Sequence, residues 1–190
     1  HGRGGQGVVT AAELLSVAAF VEGHHAQAFP SFGSERTGAP VVAFCRIDDH
    51  EIRTRQPIMR PNALIVQDPT LLHQVSVFDG LVPDGYLLIN SGRSFDELGI
   101  GEFVARFRRE RMLVVPAGEF AREHLDRPVP NAALLGGFAA LTGRVRLRSV
   151  TGAIRERFSG RVAEGNAAAA RDAYEFVAAE MKELGHVAAD

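Results

Sequence analysis

A glycine-rich turn at the start of the chain constrains the fold more than any other feature of the sequence. Gly2, Gly4 and Gly7 have the G-x-G-x-x-G spacing, and an apolar, helix-like run at residues 8–22 follows directly. Such glycines allow a tight turn, and the free amides at the start of the next helix favour an anion. In a Rossmann-like fold a buried strand comes before this turn. The numbering begins at the turn, so we expect the first strand to lie before residue 1.

Short apolar runs separated by helical segments predict a Rossmann-like α/β fold. Runs rich in Val, Ile, Leu or aromatic side chains predict strands at residues 26–29, 41–47, 63–67, 86–90 and 112–115. Helices are predicted between them at residues 7–22, 70–77, 100–109 and 119–125. Because the runs are continuously apolar, they are typical of strands covered on both faces. The sequence therefore predicts a doubly wound, mostly parallel sheet.

Two regions depart from this alternation. Residues 51–55 follow an Asp-Asp-His turn and are predicted to form an antiparallel hairpin with the strand at 41–47. The rest of the chain is helical, with predicted helices at residues 132–141, 150–158 and 166–184, and Gly185 as a stop signal. We therefore expect residues 1–190 to form a single domain with a helical C-terminal region.

The composition excludes several classes of partner. A formal net charge of −2 provides no basic field for a nucleic acid or an anionic membrane surface. The longest apolar run, residues 14–21, is much shorter than the ~20 residues that a membrane span needs. The single cysteine, Cys45, lies in a predicted strand and is expected to be a small core residue. One thiol is too few for an iron–sulfur cluster, which takes about four. We expect a cytoplasmic protein that ligates no metal.

The connection between the first two predicted strands is the second unusual segment. Residues 30–40 read PSFGSERTGAP, with proline at both ends, and long connections of this kind are often functional. A dinucleotide-binding fold would place an acidic residue at the end of the second strand. Here the strand ends Ala-Gln-Ala-Phe-Pro, so the sequence argues against a dinucleotide oxidoreductase. Arg36 could donate to a phosphate or carboxylate, or pair with Glu35 at the surface.

These segments resemble a known family. The turn at residues 2–8 (GRGGQGV) and the loop at residues 30–40 are similar to the gamma subunit, or gamma domain, of 2-oxoacid:ferredoxin oxidoreductases, especially pyruvate synthase. Residues 130–136 resemble the Asn-containing helix start of that family. Residues 157–158 and 164–169 resemble its C-terminal helical pattern. The resemblance follows the order of the chain over nearly its whole length.

The resemblance implies a reaction and a division of labour between subunits. A 2-oxoacid, coenzyme A and oxidised ferredoxin would give an acyl-CoA, carbon dioxide and reduced ferredoxin. Thiamine diphosphate, Mg and [4Fe-4S] clusters would be bound by the alpha, beta and delta components, and ferredoxin would be reached through the complex. This chain would bind no cofactor alone and contribute no catalytic residue. It would support the assembly near the route of coenzyme A, which is a substrate.

Two short segments contain the candidate contacts for coenzyme A or a neighbouring subunit. The residues are Gly4, Gly5, Gln6 and Gly7 in the turn, and Ser34, Arg36 and Thr37 in the loop. Backbone amides of the turn, together with Arg3, could meet a phosphate or a partner carboxylate. The alternative is that the turn is only structural. For the whole chain, the alternatives are an indolepyruvate-type subunit and a free-standing nucleotide-binding Rossmann module.

Other polar residues have simpler interpretations. Asp68 follows a predicted strand and precedes Pro69, so it is expected to cap the next helix rather than to act in catalysis. Arg144, Arg146 and Arg148 alternate and are expected on one side of an extended segment. They are the best basic stripe in the chain, available to a partner or to the phosphates of coenzyme A.

Overall fold

The strands all lie in the first part of the chain, together with α1 and several short helices, and helices form most of the remainder. The computed structural model describes residues 1–31 and 37–187. Within these residues the strands are β1 (Gly2–Arg3), β2 (His25–Pro30), β3 (Pro40–Val41), β4 (Ala43–Asp48), β5 (Ala63–Val66), β6 (Tyr86–Asn90) and β7 (Met112–Val115). The α-helices are α1 (Val8–Val21), α2 (Gly101–Val104), α3 (Ala117–His124), α4 (Asn131–Thr142), α5 (Leu147–Arg157) and α6 (Gly160–Val187). Short 3-10 helices lie at Pro69–His73 and Arg109–Arg111.

A parallel sheet with the strand order β5–β6–β7 forms the centre of the fold. His1 extends the pairing on the other side of β5. Its amino group donates to the Ile65 carbonyl at 2.8 Å, and its carbonyl accepts from the Gln67 amide at 2.8 Å. These two bonds are the pattern of a parallel pair. The glycine turn therefore begins at the carboxyl edge of the sheet, the edge at which open α/β folds bind their ligands.

Both faces of the parallel sheet are covered by apolar side chains. On one face Leu88, Leu113 and Val115 pack in a core formed largely by α1, α4, α5 and α6. On the other face Leu87, Ile89 and Met112 pack with side chains from the segment after β5 and from the region around α2. Burial on both faces explains why these strands are continuously apolar. The predicted α/β class, with a parallel sheet and a helical C-terminal region, is confirmed.

The antiparallel pairing differs from the predicted hairpin. Strand β4 pairs with β2, from His25 opposite Asp48 to Pro30 opposite Ala43. The prediction of a strand at residues 51–55 is wrong, because those residues form no regular structure. Only Ile52 in that segment is apolar and only it is partly buried, so the segment has no face to pack. The predicted strand at 41–47 is also divided at Val42 into β3 and β4.

Several helical predictions had the wrong extent or position. The helix predicted at 70–77 is only the 3-10 helix Pro69–His73, and the helix predicted at 100–109 contains only the four-residue α2. Both segments are short, and helices of few turns depend on packing rather than propensity. Gly185 does not end α6, which starts before residue 166 and continues to Val187. Arg148 lies on α5, so the three arginines do not share an extended segment.

Among the helices of the described residues, none is both long and apolar enough to cross a membrane.

Candidate functional site

The glycine turn leads directly into α1, and two of its glycines have backbone conformations that other residues rarely adopt. Gly5 has a φ of 90° and Gly7 a φ of 69°. Gly7 is the N-cap of α1, and its carbonyl accepts from the Ala11 amide at 2.9 Å. A Cβ atom on Gly7 would lie 2.4 Å from Nδ2 of Asn131, whereas one on Gly5 would meet no atom within 4 Å. Position 7 therefore requires glycine for both its backbone conformation and its lack of space, and position 5 favours glycine for its conformation alone.

The first turn of α1 has no side-chain cap, since glycine occupies the N-cap position. The amides of Gly4 and Gln6 donate within the turn and its neighbouring strand, to Ala39 and Arg3 respectively. Among the described residues, no acceptor lies against the amides of Gly5 and Gly7. With respect to residues 1–31 and 37–187, these amides and those of the first helical turn are open to an anion, which the helix dipole also favours.

A cleft of about 270 Å³ opens in front of these amides. Its lining consists of Arg3, Gly4, Gly5, Gly7, Val8, Val9, Thr10 and Val41. The walls come from the turn, the start of α1 and the end of β3, and none of the described residues that line the cleft is acidic. A space of this size holds a phosphate group with its immediate neighbours, but not a whole coenzyme molecule.

Arg3 braces the turn rather than pointing at a ligand. Its Nη1 donates to the Gly38 carbonyl at 3.1 Å, and its Nη2 donates to Oγ1 of Thr70 at 2.8 Å and to Oε1 of Gln74 at 2.6 Å. Its Nε lies 3.2 Å from Oδ2 of Asp68. The guanidinium therefore ties the turn to the segment after β5 and to the end of the 30–40 loop.

Gln6 connects the turn to the same carboxylate. Its Oε1 accepts from the Arg3 amide at 2.8 Å, and its Nε2 donates to Oδ2 of Asp68 at 2.8 Å. The other oxygen of Asp68 accepts from the amide of Thr70 at 3.0 Å and from its hydroxyl at 2.6 Å. This arrangement explains why a long amide side chain stands in the turn, where a small residue is usual.

Asp68 is held in its charged form by these contacts. Burial acts to raise the pKa of Asp68, but the hydrogen bonds from Thr70 and Gln6 and the charge of Arg3 outweigh it and lower the pKa below its usual value. The predicted cap is confirmed, since Asp68 caps the 3-10 helix Pro69–His73. Its bridge to Gln6 and Arg3 was missed, although the unusual Gln6 could have suggested a fixed partner.

The structure brings only part of the predicted 30–40 loop to the turn. Thr37 forms a parallel bridge with Gly4, and the Gly38 amide donates to the Gly4 carbonyl at 3.0 Å. Thr37 is exposed and lies beside the turn. Ser34 and Arg36 lie outside the described residues, so their predicted roles stay predictions.

A cluster on α3 and α6 was not predicted. Glu123, His124 and Asp172 place possible ligand atoms within 4.8 Å of one another. Nε2 of His124 and Oδ2 of Asp172 lie 2.5 Å apart, whereas two ligands of one tetrahedral zinc ion would lie about 3.3 Å apart. The short separation is that of a direct hydrogen bond between the two side chains, and we assign no metal to this cluster.

Comparisons with known proteins find similar sequences and a similar structure over most of the chain. The model of the family described as pyruvate ferredoxin/flavodoxin oxidoreductase matches residues 1–176. The pyruvate/ketoisovalerate oxidoreductases common subunit gamma of Pyrococcus abyssi is 46% identical over 177 residues, which are 92% of this chain and 93% of that protein. The pyruvate synthase subunit PorC of Methanothermobacter marburgensis is 45% identical over 185 residues, 97% of each chain. The crystal structure of the pyruvate oxidoreductase subunit PORC from Thermotoga maritima superposes with a TM-score of 0.76, at 34% identity over 92% of each chain.

Proposed function

The chain belongs to the pyruvate ferredoxin/flavodoxin oxidoreductase family, and from this premise we propose that it is the gamma subunit of a pyruvate-type 2-oxoacid:ferredoxin oxidoreductase. The observation that carries the proposal is the identity of 45–46% to gamma and PorC subunits over at least 92% of both chains. In the assembled enzyme, a 2-oxoacid and coenzyme A give an acyl-CoA and carbon dioxide, and the electrons pass to ferredoxin. The chain is thus a subunit of an oxidoreductase that acts together with partner chains.

We assign the redox and decarboxylation cofactors to the partner subunits. Thiamine diphosphate with Mg supplies the decarboxylation chemistry when bound, and [4Fe-4S] clusters carry the electrons. Cys45 is the one cysteine of the chain, and burial in strand β4 raises its pKa to about 12. A thiol that stays protonated is a poor ligand for iron. The alpha, beta and delta components are therefore the proposed holders of these groups, and the proposed location of the complex is the reducing cytoplasm.

Within this complex, the proposed role of the glycine turn is to receive a phosphate group of coenzyme A. The support comes from the free amides of Gly5 and Gly7, the uncapped start of α1 and the cleft in front of them. Helix N-termini that follow glycine turns bind phosphates through such amides. Because the cleft holds only part of the coenzyme, the remainder would lie against a neighbouring subunit. Residues 1–190 are proposed to act as one gamma-type domain. The support is that helices from both the first part and the C-terminal part of the chain pack on the same central sheet.

A pair of variants at Gly5 tests the phosphate site. Asn and Asp tolerate a positive φ better than other side chains, and a Cβ at Gly5 has open space around it. Gly5→Asp places a negative charge beside the free amides, and Gly5→Asn places a neutral group of the same shape there. In the assembled enzyme, we expect the apparent KM for coenzyme A to rise about tenfold more with Asp than with Asn, from charge repulsion of roughly 1.4 kcal/mol.

The KM for the 2-oxoacid is the internal control, and it should be the same in both variants. Equal KM values for coenzyme A in the Asp and Asn variants would show that no phosphate binds at the turn. The subunit assignment would survive that result, because assembly is measured separately on the same preparations.

A further inference from the structure

Helix α1 is apolar around most of its circumference. Its sequence, VVTAAELLSVAAFV, contains one charged residue, Glu13, which is exposed on the outward side. The inner face is buried against the core through residues that include Leu14, Leu15, Ala18 and Ala19. A helix that is hydrophobic on all sides is typical of one that is buried on all sides. Because Thr10, Glu13 and Ser16 are the only polar residues of α1, its sequence indicates that the apolar part of its outer face is covered as well.

The outer face of α1 is open in the isolated chain. Phe20 is 71% exposed and Val21 is 61% exposed, both well above the exposure usual for large apolar side chains. Val9 and Val17, which the helical period places on the outward side, are half-buried. We call Val9, Val17, Phe20 and Val21 the outer stripe. Apolar stripes of this kind mark surfaces at which another molecule packs.

Three arginines border the C-terminal end of the outer stripe. Oε1 of Glu22, which directly follows Val21, accepts from the Arg146 amide at 2.7 Å and so ties the start of α5 to the end of α1. Arg144, Arg146 and Arg148 are all exposed. Within residues 1–31 and 37–187, no carboxylate lies at ion-pair distance from their guanidinium groups. Glu22 offsets part of this charge, since its carboxylate lies beside Arg146. Three arginines against one glutamate still leave the stripe with a cationic border.

We propose that the outer stripe and the three arginines form the docking surface for another protein chain of the oxidoreductase. The inference rests on the proposed function, since it needs a partner subunit. The apolar stripe and its cationic border indicate the chemistry of the occupant. It presents apolar side chains to the stripe and carboxylates to the three arginines. Aromatic residues and arginine are the residue types enriched in protein interfaces.

The position of the stripe gives this surface a second consequence. Val9, at the N-terminal end of the stripe, also lines the cleft at the glycine turn, together with Thr10. A chain docked along α1 therefore reaches the cleft and lies beside the proposed phosphate site.

Two variants separate the apolar and ionic parts of the interface. The double variant Phe20→Ser/Val21→Ser removes the apolar end of the stripe, and Val162→Ser, at a valine 50% exposed on α6, is its control. We expect the double variant to weaken binding to the other subunits about tenfold or more, as measured by titration of the purified chain into the remaining complex. The control should bind with unchanged affinity. Circular dichroism of each variant verifies that it is folded.

The ionic part is tested by charge reversal. The test variant changes three exposed arginines to glutamate: Arg144, Arg146 and Arg148. The control variant makes the same change at three other exposed arginines: Arg109, Arg122 and Arg127. We expect the test variant to weaken binding at least tenfold at low salt, with the difference decreasing as salt increases. The control variant should have a much smaller effect.

Several results would overturn the inference. Wild-type affinity in both folded test variants would exclude this surface from the interface. Self-association of the isolated chain that the Phe20 and Val21 changes abolish would identify a second copy as the occupant, and binding to anionic vesicles lost in the arginine variant would identify a membrane. If the wild-type chain binds no oxidoreductase subunit, the proposed function itself is wrong, which is a different outcome from variants that assemble normally.

Discussion

Replacing Asp68 by Asn would release the glycine turn from the end of β5. Oδ2 of Asp68 accepts from Nε2 of Gln6 at 2.8 Å and lies 3.2 Å from Nε of Arg3. The amide of Asn can satisfy Thr70 through its oxygen, but its NH₂ group then faces two donors. Hydrogen bonds to charged groups contribute about 1.5–3 kcal/mol each. Since the Arg3 and Asp68 side chains are 23% and 13% exposed, screening reduces this sum, and we expect a total loss of about 1–3 kcal/mol at pH 7.

The loss should depend on pH in a defined direction. The pKa of Asp68 is lower in the folded chain than its usual value, so its stabilising effect is present above the unfolded pKa of about 3.9 and is lost as pH falls through the folded pKa. Asn does not titrate. The difference in unfolding free energy between the wild type and Asp68→Asn should therefore be constant from about pH 6 to pH 8 and become smaller below about pH 4.

Urea unfolding followed by circular dichroism measures this difference, and hydrogen exchange of residues 1–14 measures the local effect on the turn. Asp126→Asn is the control, because Asp126 and Arg161 form a pair at 3.3 Å with side chains 82% and 79% exposed. Such a pair contributes little, about 0–1 kcal/mol. Equal stability of Asp68→Asn and wild type at pH 7, or a difference that increases in acid, would refute the bridging role of Asp68.

Three further experiments test the packing of the chain. Gly7→Ala should lower the free energy of unfolding in urea by roughly 2–4 kcal/mol, because it combines a positive φ with a 2.4 Å contact to Asn131. Gly5→Ala also has a positive φ but meets no atom, so it should cost only about 1–2 kcal/mol. Equal costs would contradict the contact between position 7 and Asn131. Gly136→Ala should lower stability by about 1–3 kcal/mol despite a better helix propensity, since its Cβ would overlap the Ala170 carbonyl of α6, and a more stable variant would show that the two helices are not so close. Cys45 is partly buried, and its pKa is raised to about 12. It should react with iodoacetamide at pH 8 more slowly than a free thiol and react rapidly only in denaturant. Labelling of the folded chain as fast as that of a free thiol would contradict the raised pKa.

The strands were the most predictable part of the fold. β6 and β7 match their predicted ranges because each is a compact apolar run buried on both faces. The pairing of β4 with β2 was not predictable from local patterns, because register and partner are set by contacts between distant residues. The hairpin with residues 51–55 rested on the Asp-Asp-His turn before that segment, and the segment buries too little apolar surface to pair.

The candidate site was predictable in its backbone and not in its side chains. The spacing of glycines indicated a turn at a helix N-terminus, and Gly7 is the N-cap of α1. The sequence suggested Arg3 as an anion ligand, but its guanidinium donates to residues near β5 and to Gly38. These contacts link residues more than 30 positions apart, so no local pattern could reveal them. The same is true of Asp68, whose capping role is local and whose bridge to Gln6 is not.

Isolation of the tagged chain from its native cells tests the central claim most directly. We predict that it elutes with chains that contain thiamine diphosphate and iron–sulfur clusters, and that the eluate reduces ferredoxin only when both a 2-oxoacid and coenzyme A are present. A chain that elutes alone and binds NAD or FAD would contradict the assignment as a gamma subunit.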